Sequence, residues 1–99
     1  MTLIVKEYHS QHGYIYVVTD KDILGKKFEE GKLQLDLTKK FYSGEEISKE
    51  KLKKKIKQAR HVHLTGKEAV AIGVEMDLVN PKKILYIQKI PHAEVIIDG

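Results

Sequence analysis

Cysteine is absent from this 99-residue chain, which excludes disulfides, thiolate zinc sites and thiol nucleophiles. Nor is there an apolar run long enough to cross a bilayer. Residues 2–5 are apolar, but a charged stretch beginning at Lys6 follows at once, so a secretory signal is not expected and the address to expect is cytoplasmic. Amides are scarce, with Asn80 the one asparagine, while lysine, glutamate and isoleucine are frequent, a drift seen in heat-adapted proteins. Arginine occurs once, at Arg60.

What is present suits a single folded domain. Apolar residues make up 41% of the chain, an ordinary share for a soluble globular domain that buries one core, and charged residues 32%, above the average. The net charge of +4 is not spread evenly. Residues 1–48 hold seven lysines against eight carboxylates, residues 49–60 hold six lysines and Arg60 against Glu50, and residues 61–99 hold four lysines against five carboxylates. The excess therefore lies in one twelve-residue stretch, and its location bears on function more than its size does.

"TLIVKEYH" and "YIYVVTD" are rich in strand formers, and "SQHG" between them has the polar and glycine content of a hairpin turn. The matching registers put Tyr14, Tyr16 and Val18 beside Leu3, Val5, Glu7 and His9 on one face. "KDILGKKFEEG" reads as a turn-rich connection. "KLQLDL" alternates as a half-buried strand does, with Leu33, Leu35 and Leu37 facing in, and Phe41 and Tyr42 sit in a loop expected to fold back over the core. Ser48 can cap a helix from about Lys49 to Arg60, with Glu50 in its first turn, Ile47 spaced to staple onto Leu52, and a thin apolar arc of Leu52, Ile56 and Ala59. "HVHL" leads into a buried central helix, where Thr65 and Glu68 have capping-box spacing and Asn80 with Pro81 marks the end. Gly73 inside it implies a close backbone crossing. "KILYIQKI" is a strand that Pro91 should bend, with "AEVIID" after it. The order predicts an α+β domain: a mostly antiparallel sheet of about four strands with two helices on one face.

The lysine helix is the first constellation that could carry function. At 100° per residue Lys49, Lys53, Lys57 and Arg60 fall within about an 80° sector, with Lys54 a little beyond. Like charges at these spacings repel, so helix stability does not account for them. A stripe of this kind neutralises phosphates; a solvated face on a heat-adapted protein has the same composition. With a single arginine, backbone contact is favoured over base reading, because bidentate recognition of guanine uses arginine. The five tyrosines offer stacking surface for single-stranded RNA or, on strands, half-buried packing.

Five histidines raise the question of a metal. His61 and His63 would share a face if extended, with His9, His12 or His92 as a third ligand; without an HExxH pattern they read as capping or loop histidines, and no metal or cofactor is expected. Ser10, Ser43 and Ser48 lack nucleophile-elbow context, and no glycine-rich phosphate loop appears, so neither an enzyme nor a small-molecule substrate is indicated. Pro91 should present His92 on a stiff turn beside Glu94, whose charge is expected to raise the histidine's pKa.

The combination "LGKKFEEGKLQLDL", "FYSGE", "TGKEAVAIGVEMDLV" and "IPHAE" resembles the small archaeal proteins catalogued as domain of unknown function 424, from Leu24 to Glu94. The resemblance implies a compact α+β fold, an archaeal cytoplasmic setting and a link to translation, but no reaction. Gly25, Lys26, Phe41, Tyr42, Gly44, Gly66, Pro91 and His92 match the family pattern. Members commonly have glutamine where this chain has Glu94, and many have asparagine where it has His63.

Together these features predict a non-enzymatic module that binds RNA or a ribonucleoprotein through Lys49, Lys53, Lys54, Lys57 and Arg60. Lys26, Tyr42, Pro91 and His92 form a second candidate site. The alternatives are a small metal-dependent or histidine-dependent hydrolase and a protein-interaction adapter; no membrane partner is expected.

Overall fold

The computed structural model describes residues 2–97 and has an α+β fold. Its main sheet has six strands, in the spatial order Glu45–Ile47, Leu3–Ser10, Gly13–Asp20, Ala59–Thr65, Ile90–Ile96 and Leu85–Ile87. Strands β1 (Leu3–Ser10) and β2 (Gly13–Asp20) form the expected hairpin, with Glu7 opposite Tyr16 and Val5 opposite Val18. Strands β3 (Lys27–Glu30) and β4 (Leu33–Asp36) make a separate two-stranded sheet. After β5 (Glu45–Ile47) come helix α1 (Lys49–Ile56), strand β6 (Ala59–Thr65), helix α2 (Lys67–Glu75), β7 (Leu85–Ile87) and β8 (Ile90–Ile96). The "AEVIID" segment is strand through Ile96, and Asp98 lies outside the described residues.

The expected four strands are thus too few. The main reason is β6, whose "HVHL" was expected only to lead into a helix. Its alternation buries Val62 and Leu64 and half-buries His61 and His63, which is the period of a strand with one fully covered face. It pairs in parallel with β2 and antiparallel with β8, and a parallel partner cannot be inferred from adjacent segments. Pairing with β2 begins at Ala59 and β6 takes in Arg60, so α1 ends at Ile56, short of the expected Arg60.

Ser48 caps α1 as expected, its hydroxyl accepting from the Lys51 amide at 3.3 Å. The expected capping box at α2 does not form, because Thr65 is still strand and the cap position is Gly66, at φ 109°. Asp20, at the far end of β2, takes over: its carboxylate accepts from the Glu68 amide at 2.9 Å and the Ala69 amide at 2.8 Å. The helix ends at Glu75 rather than at Asn80, although Val79 beyond it is still buried.

Leu52 and Ile56 from α1 join Ala69, Val70 and Ile72 from α2 in one cluster with Leu3, Tyr16, Val18, Val62, Leu64, Ala93 and Val95. A second cluster of Ile23, Leu35, Leu37 and Ile87 lies under the β3–β4 arm, with Tyr42 and Phe28 packed on it. Leu33, expected inside with Leu35 and Leu37, is 42% exposed. Nor does Pro91 bend the strand. The turn lies earlier, at Gln88 and Lys89 with φ of 53° and 65°, so Pro91 sits within β8 opposite Tyr86 and its carbonyl accepts from the Gly66 amide at 2.9 Å.

Burial, with the Glu7 carboxylate beside it, pushes the Tyr16 hydroxyl up from 10.0 to about 12. The folded state therefore holds this proton after the unfolded chain has lost it, and the stability it contributes is lost as pH rises from 10 through about 12. Chemical denaturation of the wild type across that window should show a steeper loss than Tyr16→Phe. Equal slopes would show that Tyr16 is not the group responsible.

Candidate functional site

Two surfaces collect chemistry. The first is the basic run. Leu52 and Ile56 are buried and orient α1. Lys49 and Lys53 then lie along α2, with Lys49 Nζ 3.2 Å from Glu68 and Lys53 Nζ 2.9 Å from Glu75. On the other flank Lys55 lies 3.7 Å from Glu7 and over the Tyr16 ring at 5.8 Å. The pair with Lys53 holds the Glu75 carboxyl below its usual range.

Lys51, Lys54, Lys57 and Arg60 are exposed and have no carboxylate within ion-pair reach among the described residues. The three lysines span an arc of about 120° centred on Lys54, opposite the buried side. Arg60 continues the surface from β6, where it packs beside Gly13 and shares a depression with His12 and Lys57. The sequence-derived stripe is therefore divided: Lys49 and Lys53 face acids, while Lys54, Lys57 and Arg60 do not, and Lys51 joins them. Helical arithmetic missed Lys51 because it does not show where the α2 carboxylates lie. Tyr14, 38% exposed and stacked on Tyr16, stands opposite Ala59 at the start of β6.

The second surface is the sheet face that carries His61, His63 and Thr65 of β6. Pairing with β8 places His63 beside Glu94 and Thr65 beside His92. His63 Nδ1 lies 3.1 Å from Glu94 Oε1, and His92 Nε2 lies 4.0 Å from the same oxygen. His92 Nδ1 and the Thr65 hydroxyl share a 2.8 Å hydrogen bond. The rings of His61 and His63 stack with centroids 4.4 Å apart. One ring nitrogen from each, with a Glu94 oxygen, form a set of three donors all within 4.8 Å of one another. Phe41 meets His63 edge-on at 5.7 Å and stacks on Tyr8 at 5.3 Å, so of the loop expected to fold over the core Tyr42 does so, while Phe41 lies against this cluster.

None of these histidines is the capping or loop histidine that the sequence suggested, since all three lie in strands. His92 is not presented on a turn, and its pKa is lowered, not raised: burial outweighs the Glu94 charge. Burial lowers His63 as well, against the pull of Glu94. Neutral imidazoles beside a carboxylate can serve as metal donors or as a hydrogen-bonded acid–base pair. Of the other residues of the second candidate site, Tyr42 lies near Glu94, whose charge adds to the burial that raises its pKa. Pro91 is buried, and Lys26 is exposed just before β3. Strand alternation in "HVHLT" was the available signal for the His61 and His63 face; nothing local pointed to Glu94.

Residues 8–97 match the family model described as Protein of unknown function (DUF424). No curated protein matches. A solved structure described as an uncharacterized conserved protein from Methanopyrus kandleri superposes with a TM-score of 0.79 over 100% of this chain and 96% of that one, at 18% identity. At that identity the likeness concerns the fold. Among the described residues no helix is long and apolar enough to cross a membrane.

Proposed function

The chain belongs to the family of unknown function DUF424, and from that premise we propose that it is a non-enzymatic module that binds RNA through its phosphate backbone. The binding surface is Lys51, Lys54, Lys57 and Arg60, with Lys49 and Lys53 at its margin. The observation that carries the reading is that these four cations lack carboxylate partners among the described residues, whereas Lys49, Lys53 and Lys55 have theirs. Their repulsion favours an anionic partner, and exposed Tyr14 at the end of the run offers a ring for base stacking. Translation is the setting that the family resemblance implies.

The test is fluorescence anisotropy with a single-stranded RNA oligonucleotide across a potassium chloride series. Replacing Lys51, Lys54, Lys57 and Arg60 together by glutamine should cost at least about tenfold in affinity at moderate salt. It should also flatten the salt slope by about 3, the value for four phosphate contacts on a single strand. The fold should remain intact by circular dichroism, because all four side chains are exposed. Replacing Lys49 and Lys53 by glutamine should cost less, since their charges are already matched. Unchanged affinity in the quadruple variant, or an equal loss in the double one, would remove this surface from consideration.

A further inference from the structure

We propose that His61, His63 and Glu94 hold a divalent transition metal, with zinc as the ion whose coordination preferences they fit best. This site is independent of the basic face and does not rest on the RNA reading. Two imidazoles and one carboxylate are a zinc donor set that leaves a fourth position for water or an exchangeable ligand. The three donor atoms lie within 4.8 Å of one another. Tetrahedral zinc with bonds of about 2.0–2.2 Å needs donors about 3.4 Å apart. His63 and Glu94 meet that spacing at 3.1 Å. The separations to His61, which lie within 4.8 Å, close on binding, and Glu94 occupies an exposed position from which it can turn.

His61 supplies a second, separate observation. Its Nε2 is buried and has no hydrogen-bond partner among the described residues, and buried polar atoms are ordinarily satisfied. A metal at the cluster gives the stacked imidazole pair a reason to sit with nitrogens converging, an arrangement that ring stacking alone does not require. The surroundings suit an ion as well. Thr65 fixes the His92 ring through Nδ1 at 2.8 Å, leaving His92 Nε2 directed at Glu94 from 4.0 Å. That places His92 as an outer partner that orients the carboxylate, the role hydrogen-bonded groups behind metal ligands commonly play. Phe41 packs edge-on against the His63 ring on one side.

The experiment uses the full chain stripped with a chelator, re-equilibrated with zinc chloride, and measured by elemental mass spectrometry and isothermal titration calorimetry. One zinc per chain is expected. Glu94→Gln and His63→Gln should each weaken binding at least about tenfold, as ligand losses must if outer-partner losses already cost that much. Glu94→Gln changes an exposed position, so its fold survives even if the His63 variant is damaged. His9→Gln, on the opposite face beside Tyr14, should bind zinc as the wild type does. Cobalt substitution should give the intense visible bands of a four-coordinate site and lose them in Glu94→Gln. Substoichiometric zinc in the wild type, unchanged affinity in Glu94→Gln, or an equal loss in His9→Gln would each overturn the site, leaving the cluster a hydrogen-bonded pair. Retained RNA binding in Glu94→Gln separates this result from the fate of the basic face.

Discussion

Replacing Asp20 with alanine should lower the unfolding free energy by about 3 kcal/mol, because two amides at the start of α2 are left without an acceptor. Asp20 is 6% exposed, and its two oxygens take the amides of Glu68 and Ala69 at 2.9 and 2.8 Å. The Ala69 bond is buried, so water does not readily take the place of that acceptor. A Cβ at Gly66 would collide with the Asp20 carboxyl, so this glycine and this aspartate are matched. Asp20→Asn keeps one acceptor and should lose about half as much. Urea denaturation followed by circular dichroism reads both variants, and a loss under about 1 kcal/mol in the alanine variant would mean the helix start is capped some other way.

The same residue makes a prediction about pH. Burial raises the Asp20 carboxyl above 3.8, against the downward pull of the two amides. The folded state then binds this proton more tightly than the unfolded chain does. Stability from this group is accordingly greatest below 3.8 and falls as pH climbs through the folded value. Compared with Asp20→Asn, the wild type should lose ground over that window. A gap that stays constant with pH would contradict the raised value.

Leu64→Ala should cost about 3–4 kcal/mol, within the range for deleting a fully buried leucine. Leu64 is 0% exposed on the central strand β6. A Cβ added at Gly73 of α2 would lie 2.6 Å from both Leu64 Cδ1 and Val79 Cγ2, so the helix approaches the strand across a side chain that glycine lacks. Gly73→Ala alone should therefore destabilise despite alanine's better helix propensity. In the Leu64→Ala background its cost should shrink, because the cavity receives the new methyl group. Additive losses in this double-mutant cycle would show that the two residues do not share the contact.

Residues whose signals are local were legible in the sequence. Ser48 capped the helix it preceded, the Glu7 and Tyr16 register followed from alternation, and the family resemblance rested on motifs that stand unbroken in the chain. The second cap was misread for a physical reason. Thr65 and Glu68 have the spacing of a capping box, yet pairing with β2 and β8 holds Thr65 extended, and an acceptor forty-eight positions from Glu68 supplied the bonds. Pro91 was misread in the same way. A missing backbone donor breaks a strand only where a partner needs that donor, and the need depends on which neighbour lies there.

The concentration of positive charge between residues 49 and 60 belongs to the sequence alone, since net charge follows from composition whatever the fold. Which of those charges remain unpaired was decided by α2, whose Glu68 and Glu75 neutralise Lys49 and Lys53. The convergence of His61, His63 and Glu94 was likewise decided by tertiary structure. Glu94 meets His63, thirty-one positions earlier, only because antiparallel pairing sets β8 beside β6, and the choice of strand partner is long-range.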